Sequence, residues 1–231
     1  MRFISCLVAS LVLTVAWSTF LGAAEAPFLT ANSVDVIALL PPPVALLSGE
    51  ATSELEVVLL AQQQRTAADL ARIVSEDHMS LANFTDAVGP WCTPEKLPQL
   101  GALILEIQTE SKTIVFPAKA HFAHPRPPAV DPRVHPVVTE ANDSYPSGHA
   151  TRGMMDAMIL AELIPERKAA LLQRGQQIGW DRVLAGVHFP SDIVAGRVVG
   201  QALATALLAN PSFQQRLVAI RSELSLAHPL P

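Results

Sequence analysis

Three short stretches of the chain concentrate residues able to hold an anion and transfer it. Lys119 is followed after six residues by Arg126 and Pro127; Pro146, Ser147, Gly148 and His149 are consecutive; and Arg182 precedes His188 and Asp192 with five and then three residues between. A phosphate dianion needs several cations or N–H donors converging on one place. Lys119, Arg126 and Arg182 supply charge. A helix beginning at Ser147 and Gly148 would add free N–H groups and the positive end of its dipole, and Gly148 would let the backbone come close. Asp192 follows His188 by four positions, so in a helix or tight turn the carboxylate reaches the imidazole. Such a pair fixes the tautomer and raises the basicity of the other ring nitrogen, which suits a nucleophile or base. Singly, each residue has an ordinary reading: a lone Lys or Arg is commonly a solvated surface charge, and His188 with Asp192 also fits a helix start with a first-turn acid. The combination is less ordinary. Pro-Ser-Gly-His alone is expected in only about one chain in a thousand of this size from average residue usage.

The order Lys119-x6-Arg126-Pro127, Pro146-Ser147-Gly148-His149, Arg182-x5-His188-x3-Asp192 resembles the type 2 phosphatidic acid phosphatase (PAP2) superfamily. Within it the chain is similar to the class A bacterial non-specific acid phosphatases, as are Leu39-Leu40-Pro41-Pro42-Pro43 and Gln62-Gln63-Gln64-Arg65-Thr66. The resemblance implies an all-α domain of the PAP2/vanadium haloperoxidase type, no metal and no other cofactor. It also implies that His188 attacks phosphorus, that Asp192 orients His188, and that His149 protonates the leaving oxygen and then activates water. Lys119, Arg126, Arg182, Ser147 and Gly148 would hold the phosphoryl oxygens. One position departs from the pattern: Asp181 stands where the family often has serine. A carboxylate cannot donate a hydroxyl hydrogen bond to phosphate, so Asp181 is expected to pair with an arginine or point away. His121 and His124 fall inside the first motif, and His124 could face the pocket.

The elements needed to position these groups are helical. Apolar residues recur at helical spacing over 54–74 and over 96–110. The stretch 147–163 is apolar on most faces and predicts a central helix. Pro165 opens a helix expected to reach about Leu184, Pro190-Ser191-Asp192 opens another that ends at Asn210-Pro211, and 212–224 forms a last one. No alternating strand pattern or internal repeat is present. Between 116 and 145 the chain holds six prolines and no glycine, which predicts a stiff irregular loop, a common home for function.

The 231 residues carry a formal net charge of −5 at pH 7, and no dense Lys/Arg run marks a nucleic-acid surface. Arg2, the apolar run 3–16 and the small residues Gly22-Ala23-Ala24 read as a cleavable export signal. The expected organisation is a signal over 1–24, a Pro-containing segment over 25–50 and the helical domain over 51–231, located in the periplasm or outside the cell. The stretch 194–208 is interrupted by Arg197 and Gln201 and reads as a buried helix, so no stable membrane insertion is expected once the signal is removed. Cys92 is the one cysteine beyond the signal, and its neighbours offer no base, which predicts an inert buried thiol. The function expected is a metal-independent acid phosphatase acting on small-molecule phosphate monoesters, with self-association left open. The alternatives are a lipid phosphate or diphosphate phosphatase, a vanadium haloperoxidase, and an inactive phosphate-binding domain.

Overall fold

The computed structural model describes residues 26–227, so the expected signal over 1–24 lies outside the described residues. Ten α-helices follow in chain order among those residues: α1 (Val36–Leu39), α2 (Gly49–Gln64), α3 (Ala67–Ser75), α4 (Thr85–Val88), α5 (Pro98–Phe122), α6 (Pro127–Val130), α7 (Gly148–Leu163), α8 (Lys168–Leu184), α9 (Pro190–Ala209) and α10 (Pro211–Ala227). No strand occurs among the described residues, as the periodicity predicts.

The central element is α7. Its residues are small or apolar on almost every face, and all but a few are buried. It packs mainly on α8 and α9. Glycine makes the α7–α9 contact close: a methyl added at Gly196 would lie 2.5 Å from the Ser147 carbonyl oxygen, and one at Gly200 would strike that of Thr151. Among the described residues α9 is the one helix long and apolar enough to cross a membrane, and half of that stretch is buried inside the fold. The main apolar core runs from Phe28 and Leu29 through α5, α7 and α9 to α10. A smaller cluster of Val58, Val134, Ala150, Val183, Phe189 and Ile193 sits where α2 meets α7, α8 and α9.

Three expectations need correction. Pro165 opens a 3₁₀ turn, Pro165–Arg167, and the α-helix that reaches Leu184 starts at Lys168. The helix expected over 54–74 is two helices. Arg65 takes extended backbone angles after α2, and Thr66 starts α3 with a reciprocal cap: the Thr66 N–H donates to Asp69 Oδ2 at 2.8 Å and the Asp69 N–H donates to Thr66 Oγ1 at 3.2 Å. The break frees the Arg65 guanidinium to donate to the carbonyls of Leu184 and His135. The loop expected over 116–145 is partly helix. α5 continues through Pro117 because Ile114, Val115, Ala118 and Lys119 are buried on one side of it; tertiary packing outweighs the lost backbone bond. It stops at Ala123, which adopts the left-handed conformation (φ 46°). Lys119 therefore stands on the last turns of a helix rather than in a loop.

Candidate active site

The site forms where the end of α5, the start of α7, the end of α8 and the start of α9 converge. Ser147 caps α7 by accepting the Ala150 N–H at 3.3 Å, and the Ser147 N–H donates to the Asp192 carbonyl at 3.0 Å. That bond ties the start of α7 to the first turn of α9. Glu54 of α2 braces the same turn, accepting from the Ser191 N–H at 2.6 Å and the Ser191 hydroxyl at 2.8 Å.

His188 precedes α9 and is buried, as is Asp192. His188 Nδ1 lies 3.2 Å from Asp192 Oδ2. The same carboxylate oxygen accepts from the Ser144 hydroxyl at 2.6 Å and the Phe189 N–H at 2.8 Å. Burial alone would raise the Asp192 carboxyl, but the His124 and His188 rings beside it and the Ser144 hydroxyl outweigh it and hold the group well below the usual carboxylate range. An ionised carboxylate can only accept, so Nδ1 carries the proton and Nε2 keeps its lone pair. Nε2 is 3.1 Å from Arg126 Nη1 and faces the cations. Burial pushes the His188 pKa down to about 3, so the ring is neutral over the ordinary pH range.

His149, in the first turn of α7, is held the opposite way round. Its Nε2 lies 3.2 Å from the Glu76 carbonyl, an acceptor, which places the proton there and turns Nδ1 toward the pocket. Burial, followed by the Arg182 and Arg152 charges, moves its pKa well below the ordinary histidine value.

The three cations of the sequence pattern surround these rings. Lys119 Nζ donates to the carbonyls of Asp143 (2.5 Å) and Ser144 (3.0 Å). Burial and then the Arg126 charge lower its pKa to about 7. Arg126 donates to the Asn142 carbonyl at 2.6 Å and the Val187 carbonyl at 2.8 Å. Arg182, at the end of α8, is fully buried; its Nη2 donates to Glu140 Oε1 at 2.8 Å, while its Nε and Nη1 have no partner. Gly148 lies beside Arg152, whose Nη1 would be 3.4 Å from a methyl added there. The structure thus brings together all eight residues singled out by the sequence, with the Ser147 side-chain oxygen engaged as a helix cap.

Asp181 points away from the pocket. Arg72 grips it with two bonds of 2.7 Å each, and Gln177 adds one of 2.8 Å. The neighbouring Glu76 carboxylate pairs with Arg174 at 2.6 Å, and burial, with Asp181 nearby, raises its pKa to about 7. The cluster fixes the end of α3, whose Glu76 carbonyl orients His149. His121 is exposed. His124 is buried, its Nδ1 3.7 Å from Asp192 Oδ1. Cys92 is fully buried, and burial pushes its thiol up to about 12, as expected for an inert position.

Sequence reasoning passed over Ser144, Glu140, Glu76 and Arg152. Ser144 stands two residues before Pro146, beside a singled-out motif, but a serine in a polar loop carries no signal of its own. Arg152 lies three residues after His149, one helical turn on, and that spacing could have marked it.

The PAP2 superfamily model matches residues 99–216, a span that takes in every residue of the pocket named above except those of α2 and α3. The non-specific acid phosphatase of Providencia stuartii is 30% identical over 214 residues, covering 84% of this chain and 82% of that protein. The acid phosphatase of Zymomonas mobilis is 35% identical over 154 residues, covering 64% of this chain and 58% of that protein. A lipid A 1-phosphatase of Rhizobium etli is 37% identical over 60 residues, 26% of each chain. The chain belongs to the PAP2 superfamily. Within it, the chain is an enzyme of the phosphatase class.

Proposed function

We propose that the chain is an exported, metal-independent acid phosphatase that hydrolyses phosphate monoesters through a phosphohistidine on His188. The observation that carries this reading is the orientation of His188: Nδ1 is held by Asp192 and Nε2 faces Arg126 Nη1 at 3.1 Å. Nε2 attacks phosphorus and the bond to the alcohol oxygen breaks, with His149 Nδ1 supplying a proton to that oxygen. A water then gives its proton back to His149 and attacks phosphorus, the P–N bond breaks, and His188 is restored. Asp192 stabilises the imidazolium-like ring while the phosphoryl group is attached. Arg126, Arg182 and Lys119 neutralise charge on the transferred oxygens, which is the main requirement of phosphoryl transfer. The resting pocket keeps His149 neutral because burial, followed by the nearby Arg182 and Arg152 charges, disfavours the imidazolium. A bound phosphate reverses that local sign and favours the protonated ring.

Three cations and the start of α7 can do this without a divalent ion, and among the described residues no three His, Cys, Asp or Glu side chains converge as metal ligands. The monoester reading rests on the likeness to the Providencia enzyme over most of both chains; the likeness to the lipid A phosphatase covers a quarter. Export rests on Arg2, the apolar run 3–16 and Gly22-Ala23-Ala24. The test is hydrolysis of p-nitrophenyl phosphate in EDTA, with acid-quench trapping of a phosphoenzyme. Turnover in EDTA and a phosphoenzyme absent from His188→Ala are expected. Loss of activity on chelation, or a labelled His188→Ala protein, refutes the mechanism.

A further inference from the structure

Glu140 stands in the place the phosphoryl group would take. It lies in the connection between α6 and α7, yet its carboxylate turns inward, with the side chain only 19% exposed. Oε1 accepts from Arg182 Nη2 at 2.8 Å and lies 3.7 Å from His149 Nδ1. Oε2 lies 3.9 Å from Arg126 Nη2. One carboxylate thus faces the side chains to which the phosphatase reading gives phosphate binding and leaving-group protonation. Its neighbours in the chain complete the cover. The Asn142 carbonyl and side-chain oxygen accept from Arg126, and the Asp143 and Ser144 carbonyls accept from Lys119. These donors are satisfied in the resting protein by the segment that closes over them.

A phosphate dianion and the Glu140 carboxylate cannot share this place. Both would lie within hydrogen-bond reach of the same guanidinium in a buried site, where like charges at contact strongly disfavour joint ionisation. Arg182 is fully buried, so a charge on it without a counter-ion would be costly. One anion or the other must be present.

We propose that Glu140 is an internal competitor for the phosphate pocket: substrate phosphate displaces its carboxylate from Arg182, and its return helps expel product phosphate. This rests on the reading of the pocket as a phosphoryl site. It makes Glu140 a determinant of affinity rather than a catalytic residue. Monoanionic esters, which recover less Coulombic energy on displacing it, are discriminated against relative to dianions.

The test is calorimetric titration of inorganic phosphate into the wild-type protein, Glu140→Gln and Glu140→Ala, with thermal melts with and without phosphate. Glu140→Gln keeps the shape and removes the charge; Glu140→Ala removes the hydrogen bond as well. Both variants are expected to bind phosphate about tenfold or more tightly than wild type, since they no longer lose a charge-assisted hydrogen bond. Both should melt at a lower temperature without phosphate and be stabilised more than wild type by adding it. Wild type that binds phosphate, with variants that bind it equally or more weakly, overturns the competitor role and leaves the phosphatase reading standing. Wild type that neither binds phosphate nor hydrolyses p-nitrophenyl phosphate overturns both.

Discussion

For p-nitrophenyl phosphate, whose phenolate leaves without a proton from His149, the pH dependence of kcat/KM should be set on its alkaline side by Lys119. This lysine is buried beside Arg126, and its pKa is lowered to about 7. The protonated form is the one that can hold a phosphoryl oxygen, so the useful charge is present below that pH and lost above it. The protonated fraction is about 0.9 at pH 6, half at pH 7 and about 0.1 at pH 8. The free-enzyme quantity kcat/KM should therefore fall about tenfold between pH 6 and 8. The fall should approach a floor rather than zero. A unit charge about 4 Å from a phosphoryl oxygen at an effective dielectric near 20 is worth about 4 kcal/mol, or about three orders of magnitude in rate. The assay is kcat/KM for p-nitrophenyl phosphate from pH 4 to 9 in wild type, Lys119→Arg and Lys119→Met. A guanidinium stays charged across this range, so Lys119→Arg should lose the limb near pH 7 whatever its absolute rate, and Lys119→Met should sit near the floor throughout. Two buried carboxyls, Glu76 and Asp156, also have values raised to about 7, by burial first. A limb that survives in Lys119→Arg and disappears in Glu76→Gln or Asp156→Asn would refute the assignment to Lys119.

Other substitutions probe the rest of the frame. Asp192→Asn keeps an acceptor oxygen against the Phe189 N–H and His188 Nδ1 but removes the charge that stabilises the imidazolium-like ring, and should lower kcat by at least about tenfold with little change in fold; steady-state kinetics with circular dichroism checks it, and an unchanged kcat contradicts that role of the charge. Arg72→Ala leaves the buried Asp181 beside Glu76 without its two 2.7 Å bonds and should cost about 3 kcal/mol, about 6–12 °C in a thermal melt. Gly196→Ala puts a methyl 2.5 Å from the Ser147 carbonyl oxygen; the helices must part, and stability should fall by about 1–3 kcal/mol together with kcat, because Ser147 and Asp192 are bonded across that contact.

Much of the fold was legible because its helices carry their own punctuation. Pro190 and Asn210-Pro211 mark turns by backbone geometry alone, and α9 starts and ends where they put it, whereas Pro165 opens a short 3₁₀ turn and α8 starts three residues later, at Lys168. The failures come from tertiary forces. Pro117 reads as a stop, yet a buried face carries α5 past it to Phe122. The break at Arg65 and Thr66 is held by a guanidinium reaching carbonyls 119 and 70 positions away, but the Thr66-x-x-Asp69 cap that starts α3 is a local signature that the apolar spacing over 54–74 masked. Within the site, the cations and histidines were legible by type and order. Glu140 was not: an acidic residue in a polar loop reads as solvated, and its inward turn follows from the unbalanced charge of Arg182 and Arg126. Asp181 was half legible, since a carboxylate at that position calls for a cation, but nothing in the spacing identifies Arg72 as that cation.

The glycine contact between α7 and α9 has a consequence for how the protein loosens. His149, Ser147 and Asp192 belong to the pair of helices that meet backbone to backbone. The amides of Ser147 and Thr151, both bonded within this contact, should exchange with solvent deuterium only when the whole domain opens. The segment 139–143 is held from below by side chains of Arg126, Lys119 and Arg182 and carries no helix of its own. It can exchange through small local openings that leave the helix pair shut. Exchange should therefore be slow at the floor of the pocket and fast at its roof, and ligand entry should follow the roof.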